Sequence, residues 1–402
     1  MKRLLYFIIA IVLLSYCKRS EKENDQYVVM LSLDGFRWDY ADKVPTPNLD
    51  KIAKMGVKAE SLKASFPTKT FPNHYSMATG LYPDNHGIVL NSFYDPELNR
   101  YYSVMDREAV EDGKFYGGEP IWVTAEKQGI TSASYFWVGS EADVQEIHPT
   151  YWKKYDHDFP FEQRIDSVIA WLQLPENIRP HLILWYMHEP DKSGHIYGPD
   201  SKEMDSVIIY LDSLVGVFIE KLQDIPYANE VNVIITSDHG MGNISNERKV
   251  VIEENLNMDW VDIIQGYNPN FVIRANEGYI DSIYLTLKKV PHITTWKSGE
   301  VPEKFHYGTN PRTLDIVVVA DSSWSVVLNN ERQVGNGTHG FDNNNKDMHT
   351  IFYAYGPAFK ENYVSPSFEN VDIYPLITHI LELEPAEIDG SLENVKPLII
   401  DY

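Results

Sequence analysis

The chain has 402 residues, 43% of them hydrophobic, and a formal net charge of −23. That length holds one large α/β unit or two smaller domains, and the apolar fraction is enough for a substantial core. The acidic balance excludes a broad nucleic-acid-binding surface, which needs clustered lysine and arginine to release counterions; attraction for an anionic substrate has to come from a local positive source such as divalent cations.

In chain order, Lys2 and Arg3 precede LLYFIIAIVLL, an apolar run too short to span a bilayer comfortably, so residues 1–17 read as an export signal. Cys17 is the only cysteine, which rules out a disulfide within one chain. Placed after the apolar run and before KRSEKENDQ, it resembles a bacterial lipoprotein cleavage site, with Tyr16 where a small residue usually stands. The expectation is an exported protein, periplasmic or at the cell surface, held to the membrane by a lipid on Cys17. Residues 18–26 read as a tether.

From residue 27 the pattern alternates strand and helix. Tyr27–Leu33 is a near-continuous apolar run, as in strands buried on both faces of a parallel sheet. Thr46-Pro47-Asn48-Leu49 reads as a helix start with a capping hydroxyl and Pro in the first turn, closed at Gly56. A second helix is expected from about Thr70, carrying Tyr75, Met77 and Ala78. Pro120–Lys127, Pro160–Leu172, Ser201–Leu222 and Val371–Leu383 read as helices. Ile130–Val138, His181–Met187, Val231–Thr236 and Thr350–Tyr355 read as extended. Residues 243–337 have weaker periodicity with scattered Gly, Asn and Pro, which suggests an insertion or small cap in a catalytic domain of residues 27–402. The alternation predicts an α/β fold: a doubly wound, mostly parallel central sheet with helices on both faces.

Ligands in such sheets lie outside the carboxyl ends of the strands. Asp34, Asp191 and Asp238 each lie just past such an end, His195 and His239 follow closely, and His339 sits downstream in Thr338-His339-Gly340-Phe341-Asp342-Asn343. Three carboxylates and three imidazoles form a ligand set for two borderline-soft divalent ions such as zinc, and paired metals clamp in-line displacement at phosphorus. Singly, each residue is weak evidence, since Asp-Gly after a strand is commonly a turn. Their shared placement at strand ends is what argues for convergence. Thr70, at a helix start where free N–H groups favour an anion, is the candidate nucleophile; the alternative is a helix cap. Asn91 could direct an amide N–H at a phosphoryl oxygen, together with a backbone N–H near Thr70.

Taken together, FPTKTFPNHYSMATGLYPDNHGIVLNSFYDP, YFWVGSEA, EPDKSGHIYGP, SDHGM and THGFDN resemble the nucleotide pyrophosphatase/phosphodiesterase family of the alkaline phosphatase superfamily, from about residue 27 to the C-terminus. The resemblance implies two zinc ions, one with Asp34, Thr70, Asp238 and His239 and the other with Asp191, His195 and His339. It implies Thr70 as the nucleophile, forming a phospho-threonine intermediate, and Asn91 as a contact to the transferred phosphoryl group. Phe71 and Tyr197 match aromatics beside a nucleotide base, and a further stacking ring falls at Trp152 or Tyr155. Lys69 matches a family position without an assigned role. The implied reaction is hydrolysis of nucleotide phosphodiester or pyrophosphate bonds to nucleoside 5′-monophosphates.

Other readings compete with this one. A sulfatase needs a formylglycine precursor, and Ser65-x-Pro67-Thr68-Lys69 has Lys where Arg is expected. A phosphomonoesterase would carry a third metal site and a phosphate-clamping Arg, and neither can be placed. A choline-phospholipid phosphodiesterase shares the metal core, and an aromatic pair also holds a quaternary ammonium. A lipid-anchored binding protein without turnover would not need the full ligand set and Thr70.

Overall fold

The computed structural model describes residues 26–331 and 333–400, so the expected export signal, Cys17 and all but the last tether residue lie outside the described residues. Among the described residues no helix is long and apolar enough to cross a membrane.

The strands that matter are β1 (Tyr27–Leu33), β2 (Val57–Ala59), β3 (Ser132–Tyr135), β4 (Tyr151–Lys153), β5 (Leu182–Met187), β6 (Val231–Thr236), β7 (Val261–Tyr267), β8 (Asn270–Ala275), β9 (Ile293–Lys297), β10 (Ile316–Ala320), β11 (Phe352–Tyr355) and β12 (Tyr363–Ser365). The principal helices are α1 (Pro47–Met55), α2 (Thr70–Thr79), α3 (Ile121–Lys127), α4 (Phe161–Leu172), α5 (Asp191–Tyr197), α6 (Lys202–Gln223) and α7 (Ile373–Ile380). Eight strands form the central sheet in the order β12-β2-β11-β6-β1-β5-β3-β4. Neighbours pair in parallel except at β11, which runs antiparallel to both β6 and β2.

Side chains alternate across a strand, so β1 feeds two cores. Val28 and Met30 join the cluster formed with α2, α3 and α7, and Val29 and Leu31 join the one formed with α1, α4 and α6. This two-sided burial explains why β1, β5 and β6 read as largely apolar runs rather than alternating ones. A second, antiparallel sheet, β7-β8-β10-β9, has its own core around Phe271, Ile273, Ile283, Ile316 and Val318. Its β7–β8 turn reaches the site, where the carbonyl of Asn268 accepts from Lys69 Nζ at 2.7 Å.

Local readings differ at several points. The extended stretch expected over 130–138 is a strand only from Ser132 to Tyr135, because Phe136 takes a left-handed conformation (φ 70°) and turns the chain. Trp137 is thereby buried, with its indole N–H donating to the His74 carbonyl at 3.1 Å. The Thr46 hydroxyl does not cap α1; it donates to the Ala41 carbonyl at 3.1 Å. Asp212 of α6 caps α1 instead, accepting from the backbone N–H groups of Asn48 and Leu49 at 3.2 and 2.8 Å. Gly56 ends α1 without a left-handed turn (φ −153°). It is needed because a Cβ there would lie 2.1 Å from the Ala354 carbonyl of β11.

Candidate active site

The ends of three adjacent parallel strands build the site. β1 delivers Asp34, β5 runs into the loop that starts α5 at Asp191, and β6 ends at Ser237-Asp238-His239. The β1 and β5 loops are tied backbone to backbone: Asp34 N–H donates to Met187 O at 3.0 Å and Asp191 N–H to Asp34 O at 2.8 Å. Gly35 permits this approach. It has φ 74°, and a Cβ would fall 2.8 Å from Asp191 Cα. Its N–H donates to Asp238 Oδ1 at 3.1 Å, and the N–H of Phe36 to Ser237 Oγ at 2.8 Å, which locks β1's loop to β6's.

All six expected ligands converge. Asp34, Asp238 and His239 form one group whose potential ligand atoms all lie within 4.8 Å of one another, and Asp191, His239 and His339 form a second. His195 Nε2 stands 3.4 Å from Asp191 Oδ1, and His339 Nε2 3.5 Å from the same oxygen. His239 and His339 stack at 3.4 Å between centroids. His239 therefore sits between the two groups.

The chemistry of the donor set fits two cations. Each imidazole contacts a backbone carbonyl through Nδ1: His195 with Gly337 at 2.9 Å, His239 with Gly240 at 2.9 Å, His339 with Thr68 at 2.8 Å. A carbonyl only accepts, so each ring carries its proton on Nδ1 and turns a bare Nε2 into the site, as ligating histidines do. Asp34 Oδ1, Asp191 Oδ1 and Asp238 Oδ2 are buried without a hydrogen-bond partner. Without cations, burial together with Asp238 and Asp191 pushes Asp34 well above the usual carboxylate range. Burial first, and then Asp191, raises Asp238 to about 8. Burial holds His239 and His339 well below the ordinary imidazole value. Crowded carboxylates beside neutral imidazoles are what two divalent ions would relieve.

Thr70 is not the helix cap that the alternative reading required. Lys69 is the N-cap, with no side-chain capping bond, and Thr70 is the first residue of α2. Its hydroxyl faces His239 Nε2 at 3.2 Å. Asn91 Oδ1 accepts the Phe71 N–H at 3.0 Å, which engages that backbone donor and leaves the Asn91 NH2 group as the amide donor available to a ligand. Lys69 is buried, held by the carbonyls of Asn268 and His339 at 2.7 and 2.9 Å, and burial lowers it to about 7.

Two supporting residues escape sequence reading. Tyr186, the penultimate residue of β5, donates its hydroxyl to Asp34 Oδ2 at 2.5 Å. His74, one turn beyond Thr70, contacts the Thr70 carbonyl through Nδ1 at 3.0 Å and Ser32 Oγ through Nε2 at 2.8 Å, with Asp238 Oδ2 3.3 Å from Nδ1. The only sequence signal for His74 is its i, i+4 relation to Thr70.

The aromatic candidates separate. Phe71 is partly buried, edge-on to Tyr102 at 6.3 Å. Tyr155 lies 6.2 Å from Tyr186, the ring bonded to Asp34. Trp152 instead stacks on His148 at 5.0 Å on edge strand β4. Tyr197 is 49% exposed at the end of α5, with no ring contact tying it to Phe71 or Tyr155. A cavity of about 580 Å³ opens from Asn91, His195 and His339 toward the second sheet, where Ile264, Tyr267 and Phe271 line it.

The chain is similar to known proteins over most of its length. The sequence profile of the type I phosphodiesterase / nucleotide pyrophosphatase family matches residues 28–342. Human ectonucleotide pyrophosphatase/phosphodiesterase family member 5 is 38% identical over 398 residues, covering 98% of this chain and 82% of that protein. Human family member 1 is 35% identical over 385 residues, 92% of this chain but 41% of that longer protein. A solved structure of murine member 5, an inactive threonine-to-alanine variant in complex with AMP, superposes with a TM-score of 0.90 at 38% identity, over 93% of this chain and all of that one.

Proposed function

Since the chain belongs to the type I phosphodiesterase/nucleotide pyrophosphatase family of hydrolases, we propose that it is a zinc-dependent nucleotide pyrophosphatase/phosphodiesterase that releases nucleoside 5′-monophosphates through a phospho-threonine intermediate. The observation that carries this reading is the Thr70 hydroxyl, 3.2 Å from His239 Nε2, at the shared edge of the two ligand groups. Asp34, Asp238, His239 and Thr70 would hold one zinc, and Asp191, His195 and His339 the other. Bound there, the ions would supply the positive charge that lets a hydroxyl ionise at neutral pH and that offsets charge on the reacting phosphoryl and leaving oxygens.

The chain's own groups do the rest. Thr70 Oγ attacks phosphorus, and the bond to the leaving oxygen breaks on the opposite side. Water then attacks the phospho-threonine, freeing the nucleoside monophosphate and restoring the hydroxyl. The Asn91 NH2, fixed by the Phe71 N–H, donates to a phosphoryl oxygen as charge grows there. Phe71 and Tyr155 flank the nucleoside; Tyr155 is favoured over Trp152 by its place beside Tyr186. The cavity bordering His195 and His339 would receive the leaving half. Support for a nucleotide comes also from AMP in the murine relative, and for a threonine nucleophile from that relative's inactive variant. The export signal and Cys17 lipidation complete the reading: a secreted, membrane-tethered enzyme.

The test is a panel on zinc-loaded protein: ATP, a dinucleotide, a cyclic dinucleotide, a lysophospholipid and a phosphomonoester, with product analysis. Nucleoside 5′-monophosphate from the nucleotides and no phosphate from the monoester is expected. Phosphocholine release without nucleotide turnover would transfer the reading to a choline-phospholipid diesterase. Phe71→Ala should raise KM for nucleotide esters more than for a small aryl phosphodiester, because base stacking is worth about 1–3 kcal/mol. Equal effects on both substrates would remove Phe71 from base binding.

A further inference from the structure

Beside Tyr155 lies a group of basic and imidazole side chains that the reaction above does not use. Lys192 Nζ is 3.3 Å from His157 Nε2, and His157 Nδ1 is 3.1 Å from the Tyr155 hydroxyl. The direction of this chain is fixed by its first member. An ammonium has donors and no acceptor, so Lys192 donates to His157 Nε2. The proton of a neutral His157 then sits on Nδ1 and is donated to the Tyr155 oxygen. With its oxygen accepting from His157, Tyr155 has its own O–H proton to give elsewhere.

The framework holds the chain in place. The His157 ring stacks on His188 at 4.0 Å. Arg164, fully buried in α4, gathers the loop from above: its guanidinium donates to the carbonyls of Phe159 at 3.1 Å, Asp156 at 3.4 Å, His157 at 3.3 Å and, across on β5, Tyr186 at 3.0 Å. The loop carrying Tyr155 is thus bolted to the strand that leads to Asp191, while Lys192 follows that ligand directly on α5. The position of the Tyr155 ring is therefore set from α4 and from the segment after β5 that carries Asp191.

We propose that Lys192 and His157 are positioning residues that orient Tyr155 at the nucleoside end of the site, so that its hydroxyl donates a hydrogen bond to an oxygen or ring-nitrogen acceptor on the bound nucleoside. This rests on the proposed nucleotide reading. It adds a polar requirement to what a stacking ring alone would impose.

The test compares Lys192→Met, Lys192→Arg, Tyr155→Phe and the double variant Lys192→Met/Tyr155→Phe, with thymidine 5′-(p-nitrophenyl) phosphate and bis(p-nitrophenyl) phosphate as substrates. Loss of one hydrogen bond corresponds to about a threefold to tenfold change. Lys192→Met and Tyr155→Phe should each raise KM for the thymidine ester by that factor with kcat little changed. Lys192→Arg should restore it, and the double variant should be no worse than Tyr155→Phe, because both changes remove the same bond. Multiplying effects in the double variant would mean that Lys192 acts independently of Tyr155, and an unchanged KM in Lys192→Met would mean that the chain does not act on binding; either overturns the proposal. If the parent enzyme itself shows no preference for the thymidine ester over the small diester, it is the nucleotide reading that fails, before any variant is compared.

Discussion

Thr70→Ala should abolish turnover, lowering kcat by on the order of 10⁵-fold or more, as loss of a nucleophile does elsewhere, while zinc content and nucleotide binding stay near the parent's. The expectation separates two roles for one hydroxyl. If Thr70 only secured the start of α2, its removal would cost about 1 kcal/mol of stability and leave activity near normal. The structure gives the capping position to Lys69 and turns the Thr70 hydroxyl toward His239 Nε2 at 3.2 Å, where it contributes nothing to the helix's free N–H groups. Unchanged binding matters as much as lost rate. Asp34, Asp238 and His239 follow β1 and β6, Asp191 and His195 lie on α5, and His339 comes from a separate segment, so none of these six candidate ligands depends on the threonine for its position. Isothermal titration with a nucleoside monophosphate and zinc analysis on the same preparation would show both. Near-normal hydrolysis by the variant would remove Thr70 as the nucleophile and return the site to metal-assisted attack by water.

The parts of the fold that sequence exposes are those whose burial is uniform. β1, β5 and β6 are buried on both faces, so their sequences are largely apolar, and the residues that follow each run fall at a strand end by necessity: Asp34 at once, Asp238 after one residue and Asp191 after three. That is why the shared strand-end placement of Asp34, Asp191 and Asp238 is legible in the sequence. His339 could be placed only by its motif, because it arrives after the second sheet has returned the chain to the site. What sequence concealed depends on neighbours distant in the chain. Asp212 caps α1 from α6, a pairing across 163 residues that no local pattern shows. Gly56 looked like a left-handed stop and proved to be a close approach to β11. The strand expected over 130–138 ends early because Phe136 turns to bury Trp137. Tyr186 reads as one more apolar position in β5 until its hydroxyl is found on Asp34. The reversal of β11 is equally silent, since a buried strand has the same pattern in either direction.

Without metal, stability should depend on pH in a window set by the buried carboxylates of Asp34 and Asp238. In the metal-free fold Asp238 titrates near 8, raised chiefly by burial, and Asp34 lies well above its ordinary value for the same reason together with its acidic neighbours. Between the unfolded value and these raised values the native state holds protons that the unfolded chain has released, so stability falls as pH rises. Below about 6.5 the buried imidazoles of His239 and His339 act in the opposite sense, because they stay neutral in the fold while the unfolded chain charges them. Lys69, lowered to about 7, also opposes the fall above that pH, but it offsets only one of the carboxyls. Between about pH 6.5 and 8 the protonated carboxyls therefore pull stability down as pH rises, by about 1.4 kcal/mol per pH unit for each proton that the native state holds in excess. Bound zinc would reverse the balance, since ligated carboxylates are ionised and ligated imidazoles neutral whatever the pH in this range. At free zinc about 100 times the dissociation constant each ion adds about 2.7 kcal/mol, and because metal and protons compete for the same oxygens, that gain itself grows with pH. Thermal unfolding of EDTA-treated and zinc-reconstituted protein, measured at intervals from pH 6.5 to 8, should show the two midpoints moving apart as pH rises. A zinc increment that is absent, or constant across the range, would mean that the buried carboxylates are not the groups that hold the metals.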